Sequence, residues 1–162
     1  MFPLNLDISM FLSILSWKSL ILWIFKSEIE LTKSTFFDTS VSNKVNFVNS
    51  ISLLNIQSIN DFQNKIDKKI EISRFRGNIY VDGIKAWEER NWIGKIVKIN
   101  NVSFKVKKNI PRCVAINLKP KTDDNSLNLL QSLKKSYNHF EMGIYLVALD
   151  DGKLKIGNKI EI

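Results

Sequence analysis

The chain has 162 residues, a net charge of +8, 44% apolar residues and 25% charged residues, which is enough to build one domain around its own core. One cysteine and one histidine exclude a disulfide scaffold, a Cys-rich zinc site, an H-E-x-x-H pair and a two-histidine, one-carboxylate iron site. The positive balance raises nucleic acid or acidic lipid as partners, but Lys, Asn and Ile number 20, 17 and 22, the bias of an AT-rich genome, so the lysine excess reads as a solvated surface.

Residues 8–25 hold 13 apolar positions in 18. Lys18 interrupts the run, which is barely long enough to cross a bilayer. Ser9, Ser13, Ser16 and Ser19 fall near one helical face. A packed, peripheral helix over residues 1–30 is expected, or a non-native start; a membrane anchor is the alternative. No Lys or Arg precedes the run, which argues against a secretory signal. Up to residue 40 there are three lysines and four acids, so the rest of the chain carries the positive charge.

From Val45 the pattern turns to short strands. Val45–Val48 reads as a strand. Ile51, Leu54, Ile59, Phe62 and Ile66 recur at helical spacing, with Ser50 or Ser52 as a cap. Ile79-Tyr80-Val81 is strand-like and is turned by Asp82-Gly83. Residues 86–91 form a turn. Ile96–Ile99, Asn100-Asn101 and Val102 to Val106 make a hairpin. Val114–Leu118 is expected as a strand, Ser126–Lys135 as a short helix. Gly143–Leu149 and Leu154-Lys155-Ile156 are expected as a last hairpin, turned by Asp151-Gly152. A short strand closes the chain after Gly157-Asn158. The fold class is mainly β (α+β), a small barrel with helical inserts and an N-terminal helix. Residues 1–33 are read as an apolar segment and 34–162 as the domain.

In a lysine-biased chain the four arginines, Arg74, Arg76, Arg90 and Arg112, are informative. Arginine persists where a planar fork must grip an oxyanion or stay charged while partly buried. Arg74 and Arg76 flank Phe75, and Arg112 precedes Cys113. A lone cysteine is ordinarily a buried hydrophobe, but a neighbouring cation favours thiolate, and thiolate suits a soft or redox metal. One thiolate completes the coordination of a metal delivered inside an organic cofactor. Arginine, serine and backbone N–H groups would then hold that cofactor's anions. His139, Trp87 and Trp92 read as packing residues, and Asp123 and Asp124 as a solvated turn.

Arg74-Phe75-Arg76-Gly77-Asn78-Ile79 with its Val-Asp-Gly turn resembles the first signature of the MOSC domain family. Glu88 or Glu89 with Trp92 and Gly94 resembles the family's acidic-Trp-x-Gly segment. Pro111-Arg112-Cys113 with Pro120-x-Thr122 resembles its cysteine signature. Gly143-Ile144-Tyr145 and Gly157-Asn158 resemble its closing strands, and Phe36-Phe37-Asp38 with Asn49 to Leu53 its entry into the domain.

The resemblance implies a β-barrel that binds molybdopterin, the organic part of the molybdenum cofactor. Cys113 is then the catalytic residue and the protein ligand of the metal. Arg74 and Asn78 would line the pterin and phosphate pocket, and Ser52, Asp38 and Arg112 would assist. The activity implied is reduction of N-hydroxylated small molecules, with electrons from a separate haem or iron–sulfur protein. The family association also carries pyridoxal phosphate. The alternatives are a carrier of persulfide sulfur or of the cofactor, and a truncated inactive member, because residues 1–26 and the family's preceding β-rich half find no match. No nucleic-acid partner is expected, since the aromatic and basic interleaving of a single-strand binder is missing. A membrane partner is not expected either. A cytoplasmic location is expected, with residues 8–25 as a membrane anchor the alternative.

Overall fold

The computed structural model describes residues 20–24 and 28–31 as backbone, and residues 50–162 in full. Nine strands are described: β1 (Leu20–Ile24), β2 (Glu28–Leu31), β3 (Ile51–Asn55), β4 (Ile79–Asp82), β5 (Ile96–Ile99), β6 (Val102–Pro111), β7 (Glu141–Ala148), β8 (Gly152–Lys155) and β9 (Lys159–Glu161). Two helices, α1 (Ile56–Ile66) and α2 (Leu129–Tyr137), join three short 3-10 turns. Seven strands close a barrel in the order β1-β4-β3-β7-β6-β5-β9, and β2 pairs with β8 in a separate ribbon. All barrel pairs are antiparallel except β3 with β4.

Strand alternation sorts the apolar residues into two cores. Leu53, Ile79, Val81, Val97, Ile99, Phe104, Val106, Ile144 and Leu146 fill the barrel interior. Leu54 and Tyr80, pointing the other way, join Ile59 and Phe62 of α1 and Leu129 and Leu133 of α2 in a second cluster. Strand β3 is therefore buried on both faces. That is why Ile51 to Ile66 looks like one apolar run. The helix expected there starts only at Ile56, and its cap is Asn55, whose Oδ1 accepts from Gln57 N at 2.9 Å, rather than Ser50 or Ser52.

The helices cover the outside of β3, β4 and the start of β7, and among the described residues neither helix packs on β5 or β9 to that extent. Gly143 shows how closely the layers approach. Its φ is +78°, and a Cβ there would stand 2.5 Å from the Leu53 carbonyl oxygen and 2.6 Å from Leu54 Cδ2.

The structure corrects four expectations. Leu20–Ile24 and Glu28–Leu31 are strands, not parts of a peripheral helix. The first pairs with both β4 and β9 and closes the barrel. Apolar content alone did not distinguish a helix from a strand buried by its neighbours. The other residues up to 49, including the Val45–Val48 strand, lie outside the described residues. Second, β8 pairs with β2, so it makes no hairpin with β7. Third, Val114–Asn117 is a 3-10 turn in which only Ile116 is buried, so it offers no apolar alternation to a sheet. Fourth, α2 runs from Leu129, capped by Asn128, not from Ser126. The turn at residues 86–91, the Ile96–Val106 hairpin and the final short strand are as expected.

Candidate functional site

Strand β6 ends at Pro111, and its last stretch is irregular against β7, with shifts between Val106 and Lys108 and between Asn109 and Pro111. Cys113 comes next, in extended conformation, and opens the 3-10 turn Val114–Asn117. It is exposed, and Val114 beside it is 68% exposed. The thiol thus sits at a strand-to-turn junction on the surface, outside both cores. The expected loop-to-strand junction is corrected in one respect: the element after the cysteine is a turn, because its side chains have no sheet to pack on.

Two arginines fix this loop. Arg112 N donates to Phe140 O at 2.7 Å. Its guanidinium donates to Met142 O through Nε and Nη2, at 2.9 and 2.6 Å, and to Phe75 O through Nη1 at 2.8 Å. Burial lowers its pKa from the usual arginine value to about 10, which leaves it protonated at neutral pH. Arg74 is 1% exposed. It donates through Nε to Glu71 Oε2 at 2.9 Å, through Nη2 to Asp124 Oδ2 at 2.6 Å and through Nη1 to Asn117 O.

The two contacts are reciprocal. Arg112, before the cysteine, grips the carbonyl of Phe75. Arg74, before Phe75, grips the carbonyl that ends the cysteine's own turn. The two sequence signatures, far apart in the chain, are two halves of one clamp. The guanidiniums of Arg74 and Arg112 are spent on protein acceptors, so neither faces a ligand as expected. Their work is to hold the Cys113 loop. Asp124 is not a plain solvated turn either, since it closes the clamp.

Ser52 and Asn78 are also brought together. Asn78 Oδ1 accepts from Ser52 N at 2.9 Å and Ser52 Oγ at 2.8 Å, and Asn78 N lies 2.9 Å from Ser52 Oγ. Asn78 is exposed, and its oxygen is engaged by Ser52 while its NH2 shows no partner among the described residues. Asp38 lies outside the described residues.

Arg76, one of the four informative arginines, is not among the residues expected to hold a cofactor. It is exposed with φ +50°, and alone of the four arginines it shows no side-chain partner among the described residues. Arg74 and Phe75 are both buried in the 3-10 turn Ile72–Phe75, and Arg76, which ends it in left-handed conformation, turns outward.

Elsewhere, Glu89 is completely buried and accepts from Asn55 Nδ2 at 2.9 Å and from Ser58 Oγ at 2.9 and 3.0 Å. Burial pushes its carboxyl above the usual range. His139 accepts from Glu141 N and packs on Tyr137 and Trp87, and Trp92 lies in the barrel core. An open cleft of about 530 Å³ between α1 and residues 83–86 is lined by Gln57, Asp61 and Lys85 among others. None of the candidate site residues lines it.

A cofactor with a soft metal and anionic groups fits this arrangement in part. The exposed Cys113 is the right donor for the metal, and the free NH2 of Asn78 and the guanidinium of Arg76 are the right donors for anions. Arg74 does not fit that use, because its donors are occupied.

The MOSC domain family model matches residues 44–161. The chain is 30% identical over 122 residues to mitochondrial amidoxime reducing component 2 of Bos taurus, and 29% identical over 122 residues to that of Rattus norvegicus. Each alignment takes in 68% of this chain and 36% of the relative, so the chain spans about a third of the length of these relatives. Among solved structures, the YuaD protein of Bacillus subtilis superposes with a TM-score of 0.55 at 14% identity, over 84% of this chain and 75% of that one. YiiM of Geobacillus stearothermophilus gives 0.51 at 13% identity, over 68% and 52%.

Proposed function

The chain belongs to the MOSC domain family, and we propose that it is a molybdenum-cofactor-binding domain in which Cys113 ligates the metal and N-hydroxylated compounds are reduced. The observation that carries this reading is the position of Cys113: an exposed thiol on a loop clamped by the buried Arg74 and the half-buried Arg112. A packing cysteine needs no such clamp. The names of the amidoxime-reducing relatives support the substrate class. When bound, the cofactor would supply two-electron redox chemistry at its metal.

The chain's own residues then have separable tasks. Cys113 offers sulfur from a loop whose backbone is fixed by Arg74 and Arg112. Arg112 holds the loop from the other side, its guanidinium on the carbonyls of Phe75 and Met142. Asn78, held by Ser52, presents its NH2, and Arg76 its guanidinium, to the cofactor's anionic groups. Electrons would come from a separate haem or iron–sulfur protein.

Replacing Cys113 by Ser tests the assignment. Because the thiol is exposed, the substitution buries no new hydroxyl and the melting temperature should stay within a degree or two, on the order of 0.5 kcal/mol. Molybdenum, measured by mass spectrometry on protein made in a cofactor-replete host, should be lost, together with reduction of an aryl amidoxime by a chemical electron donor. Retained molybdenum in the variant would overturn the ligand assignment. Molybdenum binding without amidoxime reduction in the wild type would favour a carrier.

A further inference from the structure

We propose that the uncovered face of the barrel, β5, β6 and β9, docks on an anionic lipid surface. The first observation is charge segregation. From residue 90 to residue 122 the chain has nine cations and no Asp or Glu. The span runs through β5 and β6 and past Cys113. A lysine bias of genomic origin would sprinkle lysines among acids, as it does in the flanking segments. It does not by itself remove the acids from 33 consecutive residues.

The second observation is where the cations go. Strand β5 alternates exposed and buried, with Ile96 and Lys98 out and Val97 and Ile99 in. Lys95 precedes it and is exposed. Lys107, on the neighbouring strand, is exposed at the β6 bulge. Lys159 of β9 is exposed, and its carbonyl accepts from Asn100 N at the end of the same hairpin. One acid, Glu161, lies on these three strands, opposite Lys98. Helices α1 and α2 pack on β3 and β4 instead, and Lys95, Lys98, Lys107 and Lys159 are all exposed on this side.

The third observation selects the partner. Ile93 is 42% exposed and Ile96 is 55% exposed, set among these lysines. Solvated lysines alone require no isoleucine beside them. A phosphate backbone rewards the lysines but not the isoleucines, and no exposed aromatic on these strands offers a stacking platform. A headgroup layer rewards both: cations at the phosphates and short apolar side chains at the acyl boundary.

Vesicle co-sedimentation of the full chain tests this. At about 0.15 M salt the Debye length is about 8 Å, so the face should bind phosphatidylcholine vesicles containing phosphatidylserine, and salt near 0.5 M should release it. Each lysine close to an anionic leaflet strengthens binding by roughly fivefold. The triple variant K98E/K107E/K159E should therefore bind at least tenfold more weakly, with an unchanged circular dichroism spectrum. The variant K68E/K69E/K135E, with the same net charge but altered on the helical side, should bind as the wild type does. I96S should weaken binding severalfold. Equal losses in both triple variants would reduce the effect to net charge and overturn the proposal. So would equal binding to pure phosphatidylcholine, an I96S variant that binds normally, or duplex DNA that competes the vesicles off.

Discussion

Arg74 is the residue whose role shifts most between sequence and structure. Scarcity of arginine rightly marks it as special, since a lysine cannot serve three acceptors in a fixed fork. Burial then decides what it does: a guanidinium 1% exposed with each of its three nitrogens on a protein acceptor is an internal tie. Replacing Arg74 by Ala should cost about 2 to 3 kcal/mol, because the carbonyl of Asn117 loses its donor while the exposed carboxylates of Glu71 and Asp124 regain water. Urea unfolding measures it, and amide exchange of residues 114–117 should quicken in the same variant. Glu89 acts oppositely. Its carboxyl is neutralised more readily in the folded state than in the unfolded chain, whose carboxyl titrates near 4.5. Below that value both states hold the proton and Glu89 costs nothing. As the pH rises the unfolded chain ionises first, so stability falls until the folded-state value is passed. Glu89→Gln should remove that slope, which is at most about 1.4 kcal/mol per pH unit. A constant offset of about 1 kcal/mol is expected from the altered hydrogen bonds to Asn55 and Ser58. Stability curves between pH 4 and 7 that fall in parallel for wild type and variant would refute this.

At the scale of elements, the sequence is readable where a strand has one wet face and a tight turn. The Ile96–Val106 hairpin alternates cleanly and turns at Asn100, with φ +56°, which asparagine tolerates. It is unreadable where tertiary contacts bury both faces. Strand β3 packs Leu53 into the barrel and Leu54 under α1, so period two disappears and the segment merges with the adjoining helix. The 3-10 turn after Cys113 is hidden for the opposite reason: it is too short to show any period. Pairing partners are also hidden, since β8 leaves β7 for β2 across more than a hundred residues. The candidate site is legible as residue types, a thiol among arginines, but not in its allocation of inward and outward arginines. Gly143 illustrates a contact that the motif marks and only geometry explains. With φ +78° and a carbonyl 2.5 Å from any Cβ, Gly143→Ala should cost about 2 to 4 kcal/mol, through left-handed strain and displacement of β3. A melting temperature lowered by less than about 3 °C would show that β3 can yield.

For the whole molecule, closure is the property on which the rest depends. A sheet of six strands from β4 round to β9 would present two edges, each a row of unpaired backbone groups. Strand β1 joins them: Ile21 pairs with Asp82 on one side and with Lys159 on the other. Closure fixes the curvature that buries Phe104, Val106 and Leu146 inside, and it keeps β9 beside β5 so that Lys159 shares a face with Lys98. The apolar segment that reads as a peripheral helix is therefore part of the barrel itself. Ile21→Pro tests this without touching any candidate site residue. Both neighbours of Ile21 are strands, so its N–H is lost to one of them, and a proline inside a sheet also disturbs the strand's φ. The expected result is a drop of about 3 kcal/mol or more in unfolding free energy, with concentration-dependent self-association on gel filtration as the β4 and β9 edges open. If Ile21→Pro instead unfolds like the wild type and stays monomeric, β1 does not close the barrel, and its curvature must be set by β3 to β9 alone.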